Sequence, residues 1–384
     1  MKKEYRIIVS GGGTGGHIFP ALSIADAIRS KHPEAKILFV GAENRMEMQR
    51  VPDAGYEIVG LPIAGFNRRN MLKNIKVLWL ILKSQRMAKK VIRNFAPHAV
   101  VGVGGYASGP TLKMAASMNI PTLIQEQNSY AGVTNKILAK KAKMICVAYD
   151  GMERFFPKEK IKMTGNPVRK SLIEMRANRS EAMKAMGLDE KKKCVLIVGG
   201  SLGARSINEG VLASIDTIRE NNDIQFVWQT GKLYFEEMKE RCATVGKPEN
   251  LTITDFVSNM ANALGAADLV VSRAGAGSIS EFALLGKAVI LVPSPNVSED
   301  HQTKNAMALV EKDAAIHVPD AKAKEEMIRI AVETVLDAER IAALEKNVEK
   351  LGKPNAAEVI ADDVIMLADE YIEKEIQRKK QNRR

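Results

Sequence analysis

The chain has 384 residues, 46% hydrophobic and 27% charged, with 57 Lys and Arg against 45 Asp and Glu for a formal net charge of +12. The composition fits a soluble globular protein, and no apolar run reaches the roughly 20 residues that a membrane-spanning helix needs. The length predicts two domains, and the charge predicts an anionic partner: nucleic acid, acidic lipid or a phosphorylated substrate.

Cys146, Cys194 and Cys242 lie far apart and form no C-x-x-C pair, which argues for reduced, structural thiols and against a disulfide framework or a zinc cluster. The first residues run directly into a strand pattern, leaving no room for the apolar segment of a signal peptide. The expectation is a cytosolic protein, or one attached to the cytosolic side of a membrane.

The run Arg6-Ile-Ile-Val9 leads into Ser10-Gly-Gly-Gly-Thr14-Gly-Gly-His17-Ile-Phe-Pro20, and a helical pattern follows from about Pro20 to Lys31. Backbone N–H groups in such a turn, with a helix N-terminus behind them, suit an anion or a polar ligand atom. The spacing Gly11-x-Gly13-x-x-Gly16 also satisfies the dinucleotide fingerprint, for which Glu43, after the second strand Lys36–Val40, supplies the acid. His17 suits a general base, or else a capping or core-edge histidine; the residues alone leave both open. Lys73–Arg93 reads as a helix in which Ile75, Leu78, Trp79, Leu82 and Met87 recur at helical spacing among Lys73, Lys76, Lys83, Arg86, Lys89, Lys90 and Arg93. That pattern suits an anionic bilayer surface, or a sheet-packed helix with a solvated basic face.

A strand at His98–Val103 leads into a second glycine turn, Gly104-Gly-Tyr106-Ala-Ser-Gly-Pro110, and a strand from Pro121 ends in Gln125-Glu126-Gln127-Asn128. In parallel sheets, polar groups at carboxyl strand ends are where ligands bind. After a strand at Met144–Ala148, the turn Gly165-Asn-Pro167 and a change in composition predict a domain boundary. The strand Lys193–Val198 then opens into Gly199-Gly-Ser201-Leu-Gly-Ala-Arg205, suited to a phosphate or to close strand–helix packing. Further strand patterns fall at Ile224–Trp228, Leu251–Val257, Ala267–Ser272 and Val289–Pro293. The last two precede Arg273-Ala-Gly-Ala276-Gly-Ser278-Ile-Ser-Glu281 and Asp300-His301-Gln302, where Glu281, His301 and Gln302 suit sugar hydroxyls or the start of a helix. Beyond Ala321 the pattern is helical, and the basic end from about Glu373 is expected to be disordered.

In this order the motifs resemble the MurG family, the N-acetylglucosaminyltransferases of peptidoglycan synthesis that convert lipid I to lipid II, and the resemblance extends over nearly the whole chain. It implies an α/β fold of two Rossmann-like domains facing a cleft, the glycosyltransferase-B architecture. Residues 1–165 would bind the acceptor and the membrane, 166–350 would bind UDP-N-acetylglucosamine, and 351–384 would form a helix returning to the N-terminal domain, with the basic tail. The implied reaction is an inverting, metal-independent transfer to the 4-hydroxyl of the muramyl sugar, with the cell-shape and cell-division roles that go with it. By matching motif, Arg169 and the backbone of Val257 would contact the uracil, Ser201 the diphosphate and Glu281 the ribose. Asn128, Gln302 and Ala276-Gly277-Ser278 would hold the N-acetylglucosamine, with His301 a second candidate beside Gln302. Thr14, Gly15 and Gly16 would lie on the acceptor side, with His17 as the base and Glu126 and Tyr106 as helpers. Ile75, Trp79, Leu82, Lys83, Arg86 and Lys90 would face an anionic membrane, making the enzyme peripheral on the cytoplasmic face of the cell membrane. No metal, cofactor or nucleic-acid partner is expected, and no Asp-x-Asp pair occurs in the chain. The rival reading within this fold is a transferase for a different lipid acceptor, such as diacylglycerol.

Overall fold

The computed structural model describes residues 4–63, 74–168, 178–200 and 202–382. The chain divides into two compact units, Met1–Arg169 with Pro354–Arg384, and Lys170–Lys353.

In the first unit, strands β1 (Arg6–Ser10), β2 (Lys36–Ala42), β3 (Glu57–Leu61), β4 (Ala99–Gly102), β5 (Thr122–Glu126), β6 (Met144–Val147) and β7 (Ile161–Met163) form one parallel sheet ordered β3-β2-β1-β4-β5-β6-β7. Its central strands are continuous apolar runs because helices cover both faces. On one face Ile18, Ile24 and Ile28 of α1 (Gly15–Lys31), with Ile360, Val364 and Ala368 of the helix Ala356–Gln381, pack with Ile7, Val9 and Val101. On the other, Ala88 and Ile92 of α3 (Asn74–Phe95), Leu112 of α4 (Ser108–Ser117) and Leu138 of α5 (Val133–Leu138) pack with Ile8, Val100 and Ile124.

The second unit repeats the plan. Strands β8 (Lys193–Val198), β9 (Ile224–Gln229), β10 (Leu251–Thr254), β11 (Leu269–Ser272), β12 (Val289–Leu291) and β13 (Ile316–His317) run parallel in the order β10-β9-β8-β11-β12-β13. Trp228, Phe226, Ile197 and Val271 sit at the centre of its core. In each sheet the strand order reverses at one place, between β1 and β4 and between β8 and β11. Connections leave those neighbouring strands toward opposite faces, which opens a crevice at their carboxyl ends.

Two helix ends differ most from the sequence reading. α1 begins at Gly15, not Pro20, so His17 lies inside the first helical turn and Pro20 inside the helix. Glycine does not prevent a helix start once the Thr14 carbonyl accepts the N–H groups of His17 and Ile18, at 3.1 and 3.2 Å. The basic end expected to be disordered is helical through Gln381, where Arg378, Lys379 and Lys380 meet the negative end of the helix dipole and Glu375 pairs with Arg378 at 3.4 Å.

Candidate active site

Because β1 and β4 are neighbours, their glycine turns touch. A Cβ on Gly105 would lie 2.3 Å from the Gly12 carbonyl oxygen, and one on Gly11 would lie 2.1 Å from Cγ2 of Val103, so the approach requires glycine. Ser108, buried at the start of α4, donates to the carbonyls of Ser10 (2.8 Å) or Gly104 (2.7 Å) and so stitches the turns together. Thr14 is the extended N-cap of α1, and its Oγ1 lies 3.3 Å from Nδ1 of His17. The Cδ2–Nε2 edge of the His17 ring lies against Gly104, 2.8 Å from where a Cβ would stand. Topology therefore puts an imidazole from the first motif onto the backbone of the second. Tyr106, on the second turn, is 47% exposed.

Glu126, at the end of β5, is 1% exposed, and four donors occupy its two oxygens. Oε1 accepts the Asn128 N–H (3.1 Å) and the Asn128 side-chain amide (3.2 Å); Oε2 accepts the Gly132 N–H (2.9 Å) and the Asn135 amide (2.8 Å). The carboxylate thereby shapes the loop from 127 to 132 and the start of α5. Beside it, Gln127 donates to the Val103 carbonyl (2.7 Å), Gln125 to Oδ1 of Asn166 (2.9 Å) and Asn166 to the Gln127 carbonyl (3.0 Å), tying the ends of β4 and β5 to the Gly165-Asn-Pro turn.

In the second unit the turn after β8 is equally tight. A Cβ on Gly203 would lie 2.1 Å from the Thr230 carbonyl oxygen, and one on Gly231 would lie 2.4 Å from Cα of Gly203. Asn208 locks the helix that follows, Arg205–Ala213, by donating to the Thr230 carbonyl (3.0 Å) and accepting the Trp228 indole N–H (2.9 Å). Across the switch point, the helix Ala276–Leu285 starts directly after β11, so two helix N-termini serve one crevice, an arrangement that attracts anions. Gly277 and Ser278 lie in its first turn, and Glu281 follows, half-buried. Arg273 gathers the rim: it donates to the carbonyls of Val292 (3.0 Å) and Pro293 (3.2 Å) and to Ser206 Oγ (2.8 Å), and pairs with Asp320. On the far side, Oε1 of Gln302 accepts the Ser294 N–H at 2.8 Å, and half-buried His301 opens the helix His301–Val310. Val257, buried, follows β10 beside half-exposed Phe256.

Two family models match these units: the glycosyltransferase family 28 N-terminal domain over residues 7–147 and its C-terminal domain over residues 194–363. A curated relative from Phocaeicola vulgatus, named UDP-N-acetylglucosamine--N-acetylmuramyl-(pentapeptide) pyrophosphoryl-undecaprenol N-acetylglucosamine transferase, is 63% identical over 371 residues, covering 97% of this chain and 98% of the relative. The chain belongs to glycosyltransferase family 28. A relative of the same name from Bacteroides thetaiotaomicron is 61% identical, over 96% of this chain and 99% of its own length. The crystal structure of Acinetobacter baumannii MurG aligns with a TM-score of 0.76 at 28% identity, over 94% of this chain and 99% of that one. A UDP-N-acetylglucosamine 2-epimerase structure, at 13% identity and a TM-score of 0.66, shares the fold alone.

In this family 28 chain, Arg169 and Ser201 lie outside the described residues, as does the side chain of Ile75. The α3 stripe divides. Met87 packs against the inner core with Ala88 and Ile92, whereas Leu78 (54% exposed), Trp79 (59%) and Leu82 (55%) face outward among exposed Lys83, Arg86, Lys89 and Lys90. Lys83 Nζ stands 5.5 Å from the Trp79 ring centre. Among the described residues, no helix is long and apolar enough to cross a membrane, and no group of three or more His, Cys, Asp or Glu side chains is placed to hold a metal ion.

The acid paired with the dinucleotide fingerprint leans onto the neighbouring edge strand: Cγ of Glu43 sits 2.8 Å from where a Cβ would stand on Gly60 of β3. A different acid meets the turn. Oε2 of Glu47 accepts the Gly13 N–H at 2.9 Å, which puts a carboxylate under the glycines and occupies an N–H that a pyrophosphate would need. Glu47, Asn135, Asn208 and Arg273 carry no assigned role in the sequence reading. The one signal for Glu47 is an acid in the first turn of the short helix after β2, which is not distinctive.

Proposed function

We propose that this chain transfers N-acetylglucosamine from UDP-N-acetylglucosamine to the 4-hydroxyl of the muramyl sugar of lipid I, giving lipid II with inversion at the anomeric carbon. The observation that carries this reading is the 63% identity over 97% of the chain to a transferase named for that donor and acceptor. The donor is assigned to the second unit and the acceptor to the first.

His17 is the base. The tautomer that leaves Nε2 basic is the one in which Nδ1–H donates to Thr14 Oγ1, and the ring packs over Gly104, where a Cβ would not fit. As the acceptor oxygen bonds to the anomeric carbon, its proton passes to Nε2 and the bond to the UDP diphosphate breaks on the opposite face. The leaving oxygen gains charge as oxocarbenium character develops, so the helix N-termini after β8 and β11 stabilise the transition state more than the ground state. Ser201 is assigned to the diphosphate, Arg169 and the Val257 backbone to the uracil, and Glu281 to the ribose. Asn128, Ala276, Gly277, Ser278 and Gln302 are assigned to the sugar. With its Oε1 bound to the Ser294 N–H, Gln302 retains its NH2 to donate to a hydroxyl, which favours it over His301. Tyr106, Thr14, Gly15 and Gly16 are placed on the acceptor side. Glu126 is assigned to hold the 127–132 loop and not to take the proton, since both its oxygens are already engaged. The outward Leu78, Trp79 and Leu82, ringed by lysine and arginine, support peripheral attachment to the anionic cytoplasmic face of the cell membrane.

The test is transfer by the purified protein with UDP-N-acetylglucosamine and a lipid I analogue. Transfer to diacylglycerol with none to lipid I would overturn the reading.

A further inference from the structure

Glu47 is the first residue of α2 (Glu47–Asp53), yet it is 1% exposed. Burying a carboxylate is costly unless donors meet it. Here they are backbone groups: Oε1 accepts the Ala42 N–H at the end of β2 (3.0 Å), and Oε2 accepts the Gly13 N–H (2.9 Å). The surrounding glycines make room for it. A Cβ on Gly12 would lie 2.2 Å from Oε1, and one on Gly41 would lie 2.6 Å from Cγ. The other side of the same peptide is held too, because the Gly12 carbonyl oxygen abuts Gly105. A trans peptide points its N–H and C=O in opposite directions, so a carboxylate on one side and the second turn on the other set its plane. The chain leaves that plane at Gly13, and the next residue, Thr14, caps α1 and pairs with Nδ1 of His17.

We infer that Glu47 is a positioning residue for the transfer: by clamping the Gly12–Gly13 peptide against the second glycine turn, it sets Thr14 and, through Thr14, the imidazole of His17. The inference rests on the reading of His17 as the base. A carboxylate offers only acceptors and can satisfy two N–H groups at once, whereas a glutamine of nearly the same shape presents an NH2 to one of them.

The experiment is a double-mutant cycle on the full chain, comparing Glu47→Gln, His17→Ala and the pair, with kcat, donor KM, UDP affinity and melting temperature measured for each. Glu47→Gln is expected to lower kcat about ten-fold or more while leaving donor KM and UDP affinity within about two-fold. In the His17→Ala background it should add less than about a two-fold loss, because the two residues act through one imidazole. Gly41→Ala, which crowds the unaltered carboxylate from the β2 side, should lower kcat in the same way. Equal losses with and without His17, or a Glu47→Gln kcat within about two-fold of wild type, overturn the inference. So does a collapsed melting temperature in both Glu47→Gln and Gly41→Ala, which would make Glu47 a residue of the fold alone. If the wild-type chain transfers nothing, or His17→Ala is without effect, the underlying reading fails, and the inference with it.

Discussion

Replacing His17 by alanine removes the one imidazole at the junction of the first two glycine turns, and turnover should fall by about 10²–10⁴-fold, the usual worth of a positioned base. UDP affinity, assigned to the other unit, should stay at the wild-type value; a calorimetric titration beside the kinetic assay separates the two. Glu126→Ala should show the opposite balance. It strands four donors in a buried site, and at about 1–3 kcal/mol for each unsatisfied group the stability of the first unit should fall by several kcal/mol in urea titrations. At this scale the sequence shows chemistry but not partners. His17 is legible because an imidazole beside a glycine turn is unusual, whereas Glu43 and Glu47 are two acids four residues apart. Only the fold decides which of them meets the Gly13 N–H. Glu126 likewise reads as a free carboxylate until the loop that closes over it is seen.

The strand–turn–helix series is legible wherever a strand is buried on both faces, because burial forces a continuous apolar run. Three strands, β3, β7 and β13, leave no such trace; each lies at a sheet edge, where a strand is short and half-covered. The turns allow a sharper test. Gly203 has φ of +79° with no room for a Cβ, so Gly203→Ala should destabilise the second unit by more than about 2 kcal/mol and weaken UDP binding, both measurable on one preparation. For α3, reversing the charges of Lys83, Arg86 and Lys90 should weaken sedimentation with anionic vesicles, most strongly at low salt, while leaving transfer to a soluble acceptor analogue intact. Just beyond α3, burial and the Arg6 guanidinium hold the His98 imidazole below its ordinary value of 6.5, and its Nδ1 accepts the Arg6 N–H at 3.2 Å. The unfolded chain therefore takes up the proton first. This contribution is complete above about pH 6.5 and is lost as the pH falls through the folded value. Melting temperatures taken on either side of that range should drop more for wild type than for His98→Asn, whose amide accepts the same N–H without titrating.

Across the whole molecule, alternating strands and helices make two parallel-sheet units readable in advance, since parallel strands need crossovers and the glycine turns mark where each begins. Strand order is not written in any periodicity, and it is the order that matters for the site. Placing β1 beside β4 brings residues 11–17 against residues 103–108, and placing β8 beside β11 brings two helix starts to one crevice.

The helix Ala356–Gln381 completes the first unit by covering α1 and the central strands with Ile360, Val364, Ile365 and Ala368, although the whole second unit intervenes in the chain. A growing polypeptide therefore releases the second unit from the ribosome before the last wall of the first is made. Until then the apolar face of α1 must wait uncovered, or be sheltered by a chaperone. Ending translation before Ala356 should leave a chain whose second unit resists protease while its first is digested.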